Sequence, residues 1–283
     1  MKGWPGKNLK VHVILSNKFE PAEIAEVKLK NCICAVIDTI RATSTIVTLI
    51  GCGADKVIVA ADKKEAFFLK SVFKESILCG EEKGLPPKNF DFGNSPLEIS
   101  SADLKERTFI IMTTNGTRSI LKAKQCRKVY ALSTLNLNFC IDRIVEKALE
   151  SNFDILLLCS GEKGKIAYDD AYTAGLAVKY LLTKPYKLEF TDTAKLVLAA
   201  SLSETNTEDA LEKSCSAKSL RAVGLGSDIA FISQLNRFKV APLMNIQKLK
   251  TGTCVKYLES STQVSSVQLD SLQGQIKSIV VMR

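Results

Sequence analysis

Short apolar runs alternate with segments of helical period along most of the chain, and this alternation limits the fold more than any other feature. It predicts an α/β protein whose mostly parallel sheet is covered by helices on both faces, in three α/β/α layers. Strands are expected at residues 10–15, 33–38, 56–60, 76–79, 108–113, 128–132 and 154–159. Helices are expected at residues 21–28, 43–52, 63–73, 117–124, 137–151, 169–182 and 191–203.

Two stretches about 70 residues apart follow the same order of elements. AVIDTIRATSTIV and IIMTTNGTRSI each have the pattern of a strand, a polar turn with threonines and a helix. This order indicates two similar halves, about 1–105 and 106–245, although any two βαβ units share it. The remaining segment, 246–283, is polar with weak alternation. It is compatible with a small hairpin or an attached module, and its role is open.

The residue composition limits the chemistry that the chain can perform. Its one histidine, His12, lies in the predicted first strand, which nearly excludes histidine-based triads and histidine-rich metal sites. The nine cysteines are scattered through apolar segments without a second pair at zinc spacing, so buried reduced thiols are expected. Carboxylates, hydroxyls, arginine or a hard cation such as Mg²⁺ must therefore carry any catalysis.

The formal net charge of +9 indicates an acidic partner. The lysines are dispersed and form no dense basic tract, so a small anionic substrate fits at least as well as nucleic acid. No apolar run reaches the length of a membrane span, and the amino terminus lacks the pattern of a signal peptide. We therefore expect a cytoplasmic protein without a membrane or nucleic-acid partner. A homodimer stays open.

The segment IDTIRAT, residues 37–43, places an acid, an arginine and a threonine between an apolar strand and a helix. Asp38 could ligate Mg²⁺, and Arg41 could bind a phosphate or sulfonate group with two hydrogen bonds. The alternative is that Asp38 caps the helix and pairs with Arg41 at the surface. The spacing alone leaves both interpretations open.

The segment CGEEKGLPPKNFDFGNSPLE, residues 79–98, is long for a connection inside a compact domain. Glu81 follows the strand directly, where a metal ligand or a general base could lie. Asn94 and Ser95 offer amide and hydroxyl groups to a ligand. A purely structural loop is the alternative.

Two further polar segments follow predicted strands. In TTNGTRS, residues 113–119, the Asn-Gly pair suggests a hairpin turn, but a helical pattern follows at once. A strand-to-helix loop whose Thr114–Thr117 groups bind an anion is therefore favoured. In LLLCSGEKGKIAYDDAYTAGLAV, residues 156–178, Asp169 and Asp170 begin a helix. Such acids are commonly caps, but they become Mg²⁺ ligands if the polar strand ends meet at one edge of the sheet.

These segments share their order and spacing with a known family. IDTIRATSTIV, GEEKGLPPKNFDFGNSPLE, TTNGTRSI and CSGEKGKIAYDDAYTAG resemble the 2-phosphosulfolactate phosphatase (ComB) family, over about residues 10–240. The resemblance implies an α/β/α architecture and an Mg²⁺-dependent hydrolysis of 2-phospho-3-sulfolactate to 3-sulfolactate, a step of coenzyme M biosynthesis. The chain departs from the family at Asp169, where a glutamate is expected, and in the segment after about residue 246.

The resemblance places ten residues on the family's motif positions: Asp38, Arg41, Thr43, Glu81, Asn94, Ser95, Thr114, Asn115, Gly116 and Asp170. From the chemistry of these side chains we infer that Asp38, Glu81 and Asp170 bind Mg²⁺ and that Asp38, Arg41 and Glu81 take part in catalysis. The expected substrate-binding residues are Arg41, Thr43, Asn94, Ser95, Thr114, Asn115, Gly116 and Thr117. A phosphatase for another phosphorylated hydroxy acid, a non-catalytic sensor of a small anion and a nucleic-acid-binding protein are the alternatives.

Overall fold

The structure, a computed structural model, describes residues 8–18, 27–248 and 278–283. Its strands are β1 (Leu9–Ile14), β2 (Cys32–Ile37), β3 (Lys56–Val59), β4 (Ile77–Gly80), β5 (Thr108–Met112), β6 (Lys128–Leu132), β7 (Asp154–Cys159), β8 (Leu188–Phe190), β9 (Met244–Lys248) and β10 (Ser278–Met282). Its α-helices are α1 (Ala42–Gly51), α2 (Lys63–Val72), α3 (Pro96–Ser100), α4 (Gly116–Ala123), α5 (Leu137–Ser151), α6 (Tyr168–Leu182), α7 (Asp192–Leu202), α8 (Thr207–Glu212), α9 (Cys215–Ala222) and α10 (Ser227–Ile232).

The predicted elements agree closely with the structure. All seven predicted strands are present, and six of the seven predicted helices begin and end within one residue of their predicted bounds. The seventh prediction, at 21–28, falls almost wholly outside the described residues. No helix among the described residues is both long and apolar enough to cross a membrane.

The strands form two five-stranded sheets. The first sheet has the order β6-β2-β7-β1-β8 and is parallel throughout. The second has the order β4-β5-β3-β10-β9; β4, β5 and β3 are parallel, whereas β10 and β9 run antiparallel to their neighbours. In the first sheet Ile37 pairs with both Leu132 and Cys159, so three strands end at one level. Their carboxyl ends therefore form a common edge.

Helices cover both faces of each sheet, which confirms the predicted three-layer α/β/α arrangement. Alternate residues of β2 face opposite sides: Cys34 and Val36 pack with α1 and α4, and Ile33 packs with α5 and α6. Helices α1 and α4 lie between the sheets, since the same apolar core includes Val57 and other inward residues of the second sheet. Helix α2 covers the outer face of that sheet. Both faces are thus buried, which is why β2 is apolar along its whole length.

The two sheets are not consecutive in the chain. The chain builds β1 and β2 in the first sheet and β3 to β5 in the second, and then returns to the first for β6 to β8. Strand β10 pairs with β3, so the end of the chain completes the second sheet. The sheets do not follow the predicted division near residue 105, and that division stays a prediction.

The histidine and most of the described cysteines lie where the apolar pattern predicts. Six of the eight described cysteines are buried, Cys52 is half-buried and Cys215 is exposed. Burial raises the pKa of the Cys52 thiol. His12 lies within β1 and is mostly buried, with its Nε2 4.0 Å from Asp154 Oδ2.

Candidate active site

A cavity of about 460 Å³ opens where the carboxyl ends of strands from both sheets meet. It lies beyond the ends of β2 and β7 in the first sheet and of β4 and β5 in the second, which is the usual place for a ligand in open α/β sheets. All four polar segments singled out in the sequence reach it. Its lining includes Asp38, Arg41, Glu81, Lys83, Asn94, Thr113, Thr114, Asn115, Glu162, Lys163, Asp169, Asp170 and Ser216.

Asp38 lies at the end of β2 and lines the cavity. Its Oδ1 accepts a hydrogen bond from the Ala42 N–H (3.2 Å) at the start of α1, so the predicted capping contact is present. The predicted surface pair with Arg41 is replaced by a buried arrangement, because Asp38 is only 8% exposed. Burial raises the pKa of Asp38 to about 7; the charges of Asp169 and Glu81 add to this rise, and the Ala42 hydrogen bond opposes it.

Asp169 and Asp170 begin α6, but their carboxylates bind other parts of the chain. Asp170 accepts hydrogen bonds from the Thr39 N–H (2.8 Å) and the Gly161 N–H (3.0 Å), and it thereby joins the loops that follow β2 and β7. Asp169 accepts hydrogen bonds from the Ile40 N–H (3.1 Å) and from the Ser216 hydroxyl (2.8 Å). These two acids are therefore more than caps of their own helix.

Both aspartates are buried close to each other. Burial, followed by the charges of Asp169 and Asp38, raises the pKa of Asp170 well above its ordinary value. Burial also raises the pKa of Asp169 to about 6, against the hydrogen bond from Ser216. We call Asp38, Asp169 and Asp170 the acidic wall of the cavity. Acids that destabilise one another in a cleft are typical of functional sites.

A second part of the lining, here called the loop wall, consists of Glu81 after β4 and Thr113–Asn115 after β5. Glu81 accepts hydrogen bonds from the Thr114 N–H (2.6 Å) and the Gly84 N–H (2.8 Å), so it fixes two loops at once. Thr113 and Thr117 bond reciprocally: each backbone N–H donates to the hydroxyl of the other residue, at 3.3 and 3.1 Å. The polar end of β5 is therefore a strand-to-helix loop, as predicted, and not a hairpin turn.

Arg41 connects the two walls. Its guanidinium is buried and donates from NH1 to Asp228 Oδ2 (2.8 Å) and from NH2 to the Gly84 carbonyl (2.9 Å). Asp228, in α10, also accepts hydrogen bonds from the Ser95 hydroxyl (2.6 Å) and the Leu97 N–H (3.3 Å). The partner of Arg41 is thus an acid 187 residues away, not its neighbour Asp38.

The cavity lining does not include four of the predicted substrate-binding residues. Thr43 is fully buried and its hydroxyl donates to the Asp38 carbonyl, Thr117 bonds to Thr113, and Ser95 caps α3. A Cβ on Gly116 would lie 2.7 Å from Asp38 Oδ2, so this glycine lets α4 approach the acidic wall. These residues shape the site, and any contact of theirs with a substrate stays a prediction.

The predicted metal site has suitable donors but no preformed cage. Among the described residues, no group of three His, Cys, Asp or Glu side chains has the arrangement of metal ligands. Mg²⁺ commonly binds one or two carboxylates together with phosphate oxygens and water. Asp38 and Asp170 are hard oxygen donors, and the Asn94 side-chain oxygen is buried without a hydrogen-bond partner in the described part of the chain. The residues present therefore fit this cation in chemistry.

Sequence reasoning missed several residues of the site. Asp228 follows a glycine-rich turn and gives no local signal, because its role depends on a distant contact with Arg41. Ser216 likewise belongs to the helical region after residue 205, where the apolar periodicity of the sequence is weak. Lys83 and Lys163 had a signal that was not used, since each lies in a Glu-Lys-Gly sequence directly after a strand.

Comparison with known proteins finds a family match over most of the chain. Residues 18–247 match the family model described as 2-phosphosulpholactate phosphatase. The probable 2-phosphosulfolactate phosphatase of Pseudothermotoga lettingae is 37% identical over 213 residues, which cover 75% of this chain and 88% of that protein. Those of Carboxydothermus hydrogenoformans and Clostridium perfringens are 34% and 33% identical, over 78% and 90% of this chain and 91% and 99% of those proteins.

The matched region contains both walls of the cavity, Arg41 and Asp228. It therefore includes the four polar segments on which the resemblance was based. The chain belongs to the 2-phosphosulfolactate phosphatase family, whose name denotes phosphoric monoester hydrolases.

Proposed function

We propose that this protein is an Mg²⁺-dependent phosphatase that hydrolyses 2-phospho-3-sulfolactate to 3-sulfolactate and phosphate. This reaction is a step of the kind found in coenzyme M biosynthesis. The main support is that four polar segments, from both sheets, meet in one cavity in a member of this family. The volume of about 460 Å³ is adequate for a small phosphorylated acid. The substrate follows from the relatives, which are probable 2-phosphosulfolactate phosphatases.

Arg41 and the loop wall position the phosphoryl group. Arg41 is held rigidly by Asp228 and the Gly84 carbonyl, so its charge faces the cavity at little further entropic cost. The loop wall brings the amino end of α4 to the same place, and helix amino ends favour anions. Together they fix the phosphorus atom for attack by water from the opposite side.

The acidic wall handles the cation and the proton. Mg²⁺, held by Asp38 and Asp170 with Asn94 or Glu81, would neutralise charge on the phosphate oxygens. A carboxylate of the acidic wall takes the proton from the attacking water and returns one to the ester oxygen as the P–O bond breaks. The products are the free alcohol and inorganic phosphate, so the reaction consumes one water molecule.

Phosphate release from 2-phospho-3-sulfolactate tests the proposal. We expect turnover with Mg²⁺, loss of turnover in EDTA and recovery when Mg²⁺ is restored. Asp38→Asn should reduce turnover at least about a thousandfold while the protein stays folded. A wild-type protein that binds sulfolactate but releases no phosphate would instead be a sensor of a small anion. Turnover that is unchanged by EDTA would contradict the role of the metal.

A further inference from the structure

Two turns of the same sequence and shape lie at the mouth of the cavity. Glu82–Leu85 follows β4 and Glu162–Lys165 follows β7, and each contains the sequence Glu-Lys-Gly. In each turn the N–H of the first residue donates to the carbonyl of the fourth, at 2.9 and 3.0 Å. We call them the EKG turns. The first turn follows a strand of the second sheet, and the second turn follows a strand of the first sheet. Both contribute residues to the cavity lining.

Both EKG turns place a lysine in an unfavourable backbone conformation. Lys83 has φ of 55° and Lys163 has φ of 52°, and the glycine that follows each lysine also has positive φ. Such turns favour Asn, Asp or Gly at the lysine position, because a longer side chain strains the left-handed conformation. Three of the other four non-glycine residues with positive φ in the described part of the chain are indeed asparagines. A repeated exception at one cavity suggests that the side chain itself is needed.

Both lysines are available to a ligand. Each lines the cavity, and each is exposed. Lys83 makes no ion pair with any described residue, and Lys163 has only a long contact of 3.8 Å with Glu162 Oε1 while its side chain stays 83% exposed. Arg41, which Asp228 holds in place, is assigned to the phosphoryl group in the proposed reaction. The lysines are therefore the cavity's cations that are still free for charges beyond the phosphoryl group.

The charges that line the cavity determine which anionic groups of a substrate the lysines can bind. The carboxylates of the acidic wall repel any anionic group whose charge is not neutralised there. The carboxylate and sulfonate of a substrate are therefore excluded from the acidic wall. A phosphoryl group can bind at Arg41 and the metal, and the remaining anions must then lie at the mouth. Each EKG turn contributes one exposed lysine, and so one positive charge, to the cavity lining.

We propose that Lys83 and Lys163 together bind the non-reacting anionic groups of the substrate and select phosphate monoesters that carry a further strong anion next to the ester carbon. This inference rests on the proposed phosphatase function and names the residues that recognise the other anions of its substrate. The lysines are specificity-determining residues and do not act on the phosphorus atom.

The double variant Lys83→Asn/Lys163→Asn tests the proposal, because asparagine keeps both turns in their favoured conformation and removes only the charges. Lys88→Asn/Lys165→Asn is the matched control: Lys88 lies near the first EKG turn and Lys165 is the last residue of the second, and both are exposed and outside the cavity lining. The three substrates are 2-phosphosulfolactate, 2-phospholactate and isopropyl phosphate, which carry two, one and no additional anions. All are measured at one ionic strength with Mg²⁺.

We expect the double variant to lose about tenfold or more in kcat/KM for 2-phosphosulfolactate, mainly through KM, because charged hydrogen bonds are removed. The loss should be smaller for 2-phospholactate and smallest for isopropyl phosphate, and the control should keep the wild-type order of preference. Equal losses for all three substrates, or an unchanged preference, would overturn the inference.

A binding measurement separates this inference from the phosphatase proposal. Calorimetry with 3-sulfolactate reports on the lysines without turnover: the double variant should bind it at least about five times more weakly than the wild type. If the wild type turns over no phosphate ester but the variant binds 3-sulfolactate more weakly, the phosphatase proposal fails and the lysine site stands. If turnover is normal but binding is equal, only the lysine site fails. A wild type with neither property contradicts both.

Discussion

The acidic wall and the loop wall face the same cavity but are built differently. In the acidic wall Asp38, Asp169 and Asp170 are all buried, and burial raises the pKa of each. In the loop wall Glu81 is half-buried and binds two backbone N–H groups, and the threonines bond to each other. The acidic wall concentrates buried acids, which lowers the stability of the fold. The loop wall instead fixes the backbone of its loops by hydrogen bonds.

This difference indicates how the work of the site is divided. Three buried carboxylates without matching cations lower the stability of a fold, so we expect them to serve chemistry and not folding. The loop wall satisfies its own polar groups and makes a stable support. The following predictions test whether the two walls differ in this way, from the largest expected effect to the smallest.

Asp170→Asn and Glu81→Gln form a matched pair. Each carboxylate accepts hydrogen bonds from the N–H groups of two loops, and each amide would lose one of them. We expect Asp170→Asn to reduce kcat about a thousandfold, because a buried charge in the acidic wall is lost as well. Glu81→Gln should reduce kcat by about 10- to 100-fold, since water can replace the lost hydrogen bond at this half-buried side chain. Equal losses, measured on folded protein with Mg²⁺, would mean that both acids act mainly as clamps.

Asp228→Asn removes the charged partner of Arg41. The pair is buried, with side chains that are 3% and 1% exposed, so Arg41 should lose its fixed position. We expect kcat/KM to fall about 30-fold, mainly through a higher KM, and inorganic phosphate to inhibit more weakly. Ser95→Ala is the control, because it deletes the 2.6 Å bond to Asp228 but keeps the pair with Arg41. A larger loss in the control would assign the effect to α3 instead.

The Arg41 contact also shows how far the sequence could predict the site. The strands, the helices and the four polar loops follow from local patterns, because apolar periodicity and strand-end polarity are local properties. Spacing left open whether Arg41 pairs with Asp38, three residues away, or binds a ligand. The actual partner, Asp228, depends on how α10 packs against α3, which no local pattern encodes. The alternation of the chain between two sheets was missed for the same reason.

Gly116→Ala tests the contact between α4 and the acidic wall. The added Cβ would lie 2.3 Å from the Ala42 Cβ and 2.7 Å from Asp38 Oδ2, so α4 must move away from α1. We expect a loss of about 1–3 kcal/mol in the free energy of unfolding, measured with urea, together with reduced turnover. Gly93→Ala is the control, because its Cβ would meet nothing nearer than 3.7 Å. An unchanged stability of Gly116→Ala would show that the two helices can separate freely.

The pH dependence of stability tests the cost of the acidic wall. Burial, with the charges of Asp169 and Glu81, raises the pKa of Asp38 from 3.8 to about 7. The folded protein therefore binds a proton more tightly than the unfolded chain, and this contribution to stability is lost as the pH rises from about 4 to about 7. In EDTA, the Tm of the wild type should fall more between pH 5 and pH 7.5 than that of Asp38→Asn.

The same variant should also be more stable than the wild type at pH 7.5, by about 1–2 kcal/mol, because an amide need not be ionised in the buried position. A gain in stability with a loss of turnover would establish that Asp38 is retained for chemistry and not for folding. Parallel Tm curves for the two proteins would contradict this, and would mean that Asp169 or Asp170 takes up the proton instead. Repeating the scan on Asp169→Asn then identifies the carboxylate that titrates.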